Sequence, residues 1–410
     1  MVNKDGATTM TRKGDGELAI VGLGMVTGPQ PGRSVRRIEA EAARLAIEDA
    51  GLRREDIDGA IQLAMHAGSG STPSSTDAFP RLLGLPVKFY SETGRGGGIA
   101  AQGIMAAARY LELGIAKYVV VAVGTNNWSR ARKARDQRAE RGNPRAAGKE
   151  KEGYWGKPFG DLRAVSHHSF FAARHMHEFG TTSEQFGRIA VAIRQWACLN
   201  PLAKMYGRPM SLEDHQNSEV MVHPYHLLDS CLVSDGGIAF VLTTADRAKE
   251  AQKPPAYVAG VGFGEAIEEL WWDKANYTRL AVKTAKEQAF WQAGIELKDI
   301  DHAWLYDCFT AEVLLQLEDY GWCAKGEGGP FVESTNLGPG GDLPLNTNGG
   351  LLSAYHYADM TGLSEAVTQI RGEAGERQLP KVNVSLVSGH GGEVVSPGMS
   401  SMHSTLILRR

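Results

Sequence analysis

The 410-residue chain predicts an α/β protein made of two copies of one strand–helix–strand–helix–strand unit, with a long insertion between them. Three observations carry this reading. Apolar, glycine-closed strands begin two distant stretches, Glu17–Met25 and Pro255–Gly264, and an amphipathic helix follows each. After both helices the chain spells Gly, then Leu or Ile, then three residues, then Asp-Ile-Asp-x-Ala. Seven identities keep one constant offset: Ala46/Ala289, Ala50/Ala293, Gly51/Gly294, Asp56/Asp299, Ile57/Ile300, Asp58/Asp301 and Ala60/Ala303. Finally, Gly97-Gly98 and Gly349-Gly350 each open a second helix that leads to a second apolar strand.

In the first copy, Ser34–Ala50 has helical periodicity. Val35, Ile38, Ala42, Leu45 and Ala46 fall on one face, with Arg37, Glu41, Arg44 and Glu48 opposite. Gly51 ends that helix. A strand-like IQLAM run, a helix Ile99–Leu113 and a strand Tyr118–Gly124 follow. In the second copy the counterparts are a helix Ala275–Ala293, a helix Leu351–Gly372 that carries His356 about two turns in, and a strand Lys381–Gly389. The expected boundaries are an arm over 1–16, a first half over 17–124 and 234–250, an insertion over 125–233 and a second half over 255–410. Within the insertion, Arg130–Glu152 is rich in Arg and Lys and reads first as a solvated charged excursion, second as a basic surface for CoA phosphates or an acidic partner. Helices over Ser169–Phe179 and Ser183–Leu199 follow, the latter with a capping box at Thr182 and Gln185. Ser234-Asp235-Gly236-Gly237 leads the strand that completes the first half.

Composition excludes several classes. With 42% hydrophobic and 22% charged residues and a net charge of −3, the chain is an ordinary globular protein and not a general nucleic-acid binder. It has no apolar run of membrane-spanning length, and the polar arm has no signal-peptide core. Cys198, Cys231, Cys308 and Cys323 have no CxxC spacing, which fits a reducing cytoplasm and offers no metal signature. His167-His168 and His175/His177 likewise lack a third ligand at convincing spacing.

Two polar clusters are expected to face one another. One is the glycine-rich loop Leu345–His356, with Asn346, Gly349, Gly350, Tyr355 and His356. The other is Tyr306-Asp307-Cys308-Phe309-Thr310 at the end of a strand-like run. Glycines at a helix start allow a ligand to approach free backbone N–H groups.

These stretches resemble the thiolase superfamily over about Glu17–Arg410. Asp307-Cys308-Phe309-Thr310 is similar to the His-Asp-Cys-Phe segment of thiolases related to sterol carrier protein X. Asn346–Ser353 with His356 resembles their Asn-x-x-Gly-Gly…Gly-His-Pro segment, Ser388-Gly389-His390-Gly391-Gly392 their C-terminal glycine loop, and Ser234–Gly237 their Asp-Gly-Ala strand. The resemblance implies a thiolase fold, a five-layer αβαβα core. The thiolase nucleophile is missing. The first-half helix is preceded by Glu92-Thr93-Gly94-Arg95-Gly96-Gly97-Gly98, and no cysteine occurs before Cys198. A thiolate at a helix N-terminus would have the lowered pKa that acyl transfer needs. The second thiolase cysteine is also absent, and Tyr306 replaces the histidine before Asp-Cys-Phe.

This pattern is similar to the thiolase-like aldolases of steroid side-chain degradation, which cleave a β-hydroxyacyl-CoA without a covalent acyl-enzyme. Those proteins have a second tyrosine where this chain has His356, flanked by Tyr355 and Tyr357. The expected activity is therefore a carbon–carbon lyase. Tyr306 and His356 form its acid/base pair, Asp307 is an orienting carboxylate, and His390 is a further candidate. Backbone groups of Gly97, Gly98, Gly391 and Gly392 are candidates for an oxyanion hole. Two alternatives stay open: an acyltransferase that recruits Cys308 or Cys323, and a non-catalytic acyl-CoA scaffold. The resemblance further implies a homodimer, a small partner with zinc-ribbon and oligonucleotide-binding-type folds, CoA only as part of the substrate, and no metal or other cofactor in this chain.

Overall fold

The computed structural model describes residues 18–64, 78–94, 96–140, 164–270, 277–391 and 400–410. The arm over 1–16, Arg95, part of the basic stretch, Trp271-Trp272 and Gly392 lie outside the described residues. The first unit runs β1 (Leu18–Thr27), α1 (Val35–Asp49), β2 (Gly59–Leu63), α2 (Phe79–Leu83), β3 (Phe89–Thr93), α3 (Ile99–Glu112) and β4 (Val119–Asn126). The insertion holds α4 (Asn127–Glu140), α5 (Ala164–Phe179), α6 (Ser183–Cys198), α7 (Leu212–Gln216) and the hairpin β5 (Val220–Val222) with β6 (Tyr225–His226). Then come β7 (Asp235–Thr244) and α8 (Ala245–Ala248). The second unit is β8 (Ala256–Leu270), α9 (Val282–Ala293), β9 (His302–Trp304), α10 (Thr310–Tyr320), α11 (Gly328–Ser334), α12 (Met360–Arg371), β10 (Val384–Gly391) and β11 (Ser400–Arg409).

The duplication is visible in the strand order, β3-β2-β4-β7-β1-β8-β11-β10-β9. Leu345 adds a parallel bridge to Ala303 on the free side of β9. Counted outward from the β1–β8 seam, one half reads β1, β7, β4, β2, β3 and the other β8, β11, β10, β9 and the Leu345 bridge. The seam itself is short, Leu18–Ile20 against Ala256–Val258. Helix α1 covers the outer face of the first half and α9 that of the second. Helices α3 and α12 pack on each other and reach strands of both halves. The layers therefore run helix, sheet, helix pair, sheet, helix.

The repeated letters have structural causes. Asp58 Oδ1 accepts the N–H groups of Lys117 and Tyr118, and Asp301 Oδ2 accepts those of Asn383 and Val384. Each aspartate thus ties the start of one strand to its parallel neighbour. Asp56 and Asp299 accept the N–H groups of Arg53 and Glu296 in matching one-turn caps. A Cβ on Gly22 would lie 2.1 Å from the Ala46 carbonyl oxygen, and one on Gly260 would lie 2.2 Å from that of Ala289. Only glycine lets α1 and α9 lie this close to their strands.

One element departs from the expected order. Gly349-Gly350 does not open a long helix. Gly350–Ala354 forms one π-helical turn, the chain then runs extended at Tyr355, and α12 starts only at Met360. Ala358 closes this break with a positive φ of 54°, a backbone state that non-glycine residues rarely adopt. His356 therefore sits in an extended link between two helical pieces, not two turns into a helix.

Candidate active site

Tyr306 lies two residues beyond the end of β9. Its N–H donates to Ser388 Oγ at 2.9 Å, and its carbonyl accepts Gln316 Nε2 at 2.8 Å. Ser388 Oγ in turn donates to Gln316 Oε1 at 2.5 Å. One residue of α10 and one of β10 thus fix the tyrosine backbone, which leaves the phenol to be aimed by its surroundings. The phenol oxygen lies 3.4 Å from His356 Nε2. The two clusters therefore meet through these two side chains.

His356 is held from one short segment that precedes β7. Its N–H donates to Ser234 Oγ at 3.0 Å, and its Nδ1 lies 3.7 Å from Cys231 Sγ. The flanking tyrosines turn elsewhere. Tyr355 and Tyr357 stack with ring centroids 5.3 Å apart. The Tyr357 hydroxyl donates to the Asp235 carbonyl at 2.6 Å. Burial pushes Tyr355 up to about 12, which keeps it a neutral core group.

Most of the loop Leu345–Ala354 is scaffolding for this pair. Asn346 bridges strand-fashion to Leu305, accepting from its N–H at 2.7 Å and donating to its carbonyl at 2.8 Å. Asn348 Oδ1 accepts from Trp304 Nε1 and from Gly350 N–H. Asp307 is fully buried and accepts the N–H groups of Leu351 at 2.9 Å and Leu352 at 3.2 Å, so it caps the π-turn. A Cβ on Gly350 would lie 1.9 Å from Asp307 Oδ2, and Gly350 also has φ +59°, so glycine is required twice over. Gly349, at φ +95°, packs against Ala197 of α6.

The other glycine pair abuts Tyr306 directly. A Cβ on Gly97 would lie 1.8 Å from the His390 carbonyl oxygen and 2.5 Å from Tyr306 Cζ. The space beside Gly97 is therefore filled by the tyrosine ring. The adjoining α3 N-terminus is served from the second half, where Asp359 Oδ1 accepts Ala100 N–H at 2.8 Å. Gly391 approaches Gly97 N, and the His390 ring centroid is 6.5 Å from that of Tyr306 and 5.9 Å from that of His168.

Asp359 is expected to show in the pH dependence of stability. Burial raises its carboxyl from 3.8 to about 7, against the pull of the Ala100 and Ala101 amides. The fold then binds this proton more tightly than the unfolded chain does. The stabilisation is full below about pH 4 and is lost as pH rises through about 7. Asp359→Asn keeps an acceptor for the helix. It is expected to flatten this slope, measured as the change in Tm between about pH 5 and about pH 8.

The remaining polar groups mount the insertion on α10. His175 bridges Thr181 and Glu318, and His215 contacts Asp229, which also accepts from Thr310 Oγ1. His168, Cys308 and Glu312 have ligand atoms within 4.8 Å of one another. His168 Nδ1 and Glu312 Oε1 are only 2.5 Å apart, a hydrogen-bond distance shorter than two donors on one ion adopt. Cys308 is buried there, and Cys323 lies beyond α10 with its thiol pushed up to about 12 by burial. Reading the sequence alone missed Cys231, Ser234, Gln316, Ser388 and Asp359 as parts of the site. Only Ser234 and Ser388 sat inside motifs that could have pointed to them.

Residues 265–410 match the family described as thiolase C-terminal domain-like. A steroid side-chain-cleaving aldolase of Thermomonospora curvata is 38% identical over 92% of this chain and 96% of its own length. A 17-hydroxy-3-oxo-4-pregnene-20-carboxyl-CoA lyase of Mycobacterium tuberculosis is 33% identical over 96% of this chain and 99% of its own. The solved Ltp2-ChsH2(DUF35) aldolase superposes with a TM-score of 0.82 and 37% identity, covering 96% of this chain and 98% of that one. An acetyl-CoA acetyltransferase of Syntrophomonas wolfei, at 18% identity and a TM-score of 0.67, shares the fold. The chain has a thiolase fold and belongs to the thiolase-like aldolases, carbon–carbon lyases that act on acyl-CoA thioesters.

Proposed function

We propose that this protein cleaves the side chain of a steroid β-hydroxyacyl-CoA by a retro-aldol step in which Tyr306 moves the proton and His356 supports it by hydrogen bonding. The observation that carries this reading is Tyr306, its oxygen 3.4 Å from His356 Nε2 and its ring packed on Gly97, within the Glu92–Ile99 stretch where a thiolase nucleophile would be sought. The names of two relatives, a steroid side-chain-cleaving aldolase and a pregnene-carboxyl-CoA lyase, support the substrate class.

In this mechanism the Tyr306 phenolate takes the β-hydroxyl proton. The Cα–Cβ bond breaks, the β-carbon becomes a carbonyl, and the electron pair passes to the thioester as an enolate. Tyr306 then returns the proton to Cα, which gives a shortened acyl-CoA with atoms and charge in balance. His356 holds the phenolate by hydrogen bonding, and His390 is a second proton carrier in the pocket. Amides of Gly97, Gly98 and Gly391 are the proposed donors to the enolate oxygen, each such donor typically contributing ~3 kcal/mol. Asp307 acts by holding the loop that carries His356.

The proposed assembly is a homodimer of this chain with a small partner of zinc-ribbon and oligonucleotide-binding-type fold. The solved Ltp2-ChsH2(DUF35) relative supports a heteromeric assembly. Any zinc belongs to that partner, and CoA enters only as part of the substrate. Among the described residues, no helix is long and apolar enough to cross a membrane; the proposed location is the cytoplasm. The test is a panel of steroid, aromatic and aliphatic β-hydroxyacyl-CoAs, with and without the proposed small partner. The expected result is release of a steroid ketone and a short acyl-CoA. CoA-ester binding with no cleavage of any panel member, partner included, would reduce the protein to a scaffold.

A further inference from the structure

We infer that Cys231 is a positioning residue, its thiol fixing the tautomer of His356 so that Nε2 carries the hydrogen and donates to the Tyr306 oxygen. The inference rests on the retro-aldol reading and deepens it. A neutral imidazole has one N–H and one bare nitrogen, and the partner of one nitrogen decides the state of the other. Cys231 Sγ lies 3.7 Å from Nδ1, and Tyr306 Oη lies 3.4 Å from Nε2. A thiol donates to Nδ1 and places the hydrogen on Nε2. A thiolate would instead accept from Nδ1 and leave Nε2 bare, facing the tyrosine O–H.

The surroundings favour the thiol. Burial pushes Cys231 up to about 12, and the carboxylates of Asp307 and Glu312 add to this. Among the described residues, Asp307 and Glu312 act on Cys231, and the His390 ring centroid lies 6.5 Å from that of Tyr306. The backbone is built to hold the sulfur in place. Cys231 N–H donates to the Cys308 carbonyl at 2.9 Å, and Leu232 N–H to that of Leu351 at 2.9 Å. Three residues on, Ser234 accepts the His356 N–H at 3.0 Å. One four-residue segment therefore grips His356 by its main chain and by its ring. A base held as phenolate needs a donor at Nε2, so the thiol three groups removed from the substrate sets the charge state of Tyr306.

The test uses the full chain with its partner and has two arms. In protein labelled with 15N-histidine, the His356 resonances report the tautomer without any turnover. Wild type is expected to show a protonated Nε2 and a bare Nδ1. A protonated Nδ1 would overturn the inference while leaving the lyase reading intact. In kinetics, Cys231→Ala is expected to lose about 10- to 100-fold in kcat with KM little changed. It should also move the rising limb of the pH–rate profile to higher pH, because the phenolate has lost its donor. Cys231→Ser, whose hydroxyl donates similarly, is expected to recover to within about tenfold of wild type and to restore the limb. A Cys231→Ala variant with the wild-type rate and profile, or an acyl group found on Cys231, would overturn the positioning role. Wild type with no lyase activity on any steroid β-hydroxyacyl-CoA would instead remove the reading beneath it.

Discussion

Tyr306→Phe is expected to lower kcat for retro-aldol cleavage by about 10²–10⁴-fold while KM changes little. Phenylalanine keeps the ring that packs on Gly97 and meets Trp304 edge-on at 6.3 Å between centroids, so the fold and the pocket shape are retained. Only the oxygen that faces His356 is removed. The loss falls on the proton transfer, which exists in the transition state and not in the bound substrate. Steady-state release of the short acyl-CoA measures it, with the Tm as a control on folding. A variant that cleaves at full rate would take Tyr306 out of the chemistry.

Gly97→Ala is expected to abolish activity more completely than its modest chemistry suggests. The new Cβ would meet the His390 carbonyl oxygen at 1.8 Å and Tyr306 Cζ at 2.5 Å, one on a backbone that cannot turn aside and one on the catalytic ring. Overpacking of this kind costs about 1–3 kcal/mol of stability. Displacing the tyrosine by about 1 Å costs about 10²-fold in rate. Gly97→Cys meets the same obstruction, so a cysteine installed there is expected to destroy the lyase without creating an acyltransferase. The space beside Gly97 belongs to Tyr306. A Gly97→Ala protein with wild-type kcat and Tm would show that the helix start and the tyrosine are independent.

The fold was legible because the duplication left its marks on residues that act locally. Asp58 and Asp301 tie parallel strands, Gly22 and Gly260 admit a helix, and each does so through contacts its own copy supplies. Tyr306 and His356 were legible as motif positions for a similar reason. The geometry of the loop between them was not. Its glycine pair resembled the start of a helix, and the break after Ala354 depends on Asp307 capping from 44 residues away and on the strained Ala358. Local periodicity carries neither. Cys231 was hidden because it reaches His356 across 125 residues of chain. The buried histidines of α5 looked like incomplete metal ligands. Their partners Glu312 and Glu318 lie on α10, where sequence spacing cannot reveal the pairing.

In the proposed reaction, carbon–carbon cleavage runs through Tyr306 and His356 with no covalent acyl-enzyme. Intact-protein mass spectrometry on the wild-type complex, sampled while a steroid β-hydroxyacyl-CoA is being turned over, tests it most directly. The expected result is an unmodified chain mass at every time point while the ketone and the short acyl-CoA accumulate in equal amounts. An acyl adduct on any of the four cysteines, forming and decaying at the rate of turnover, would contradict it.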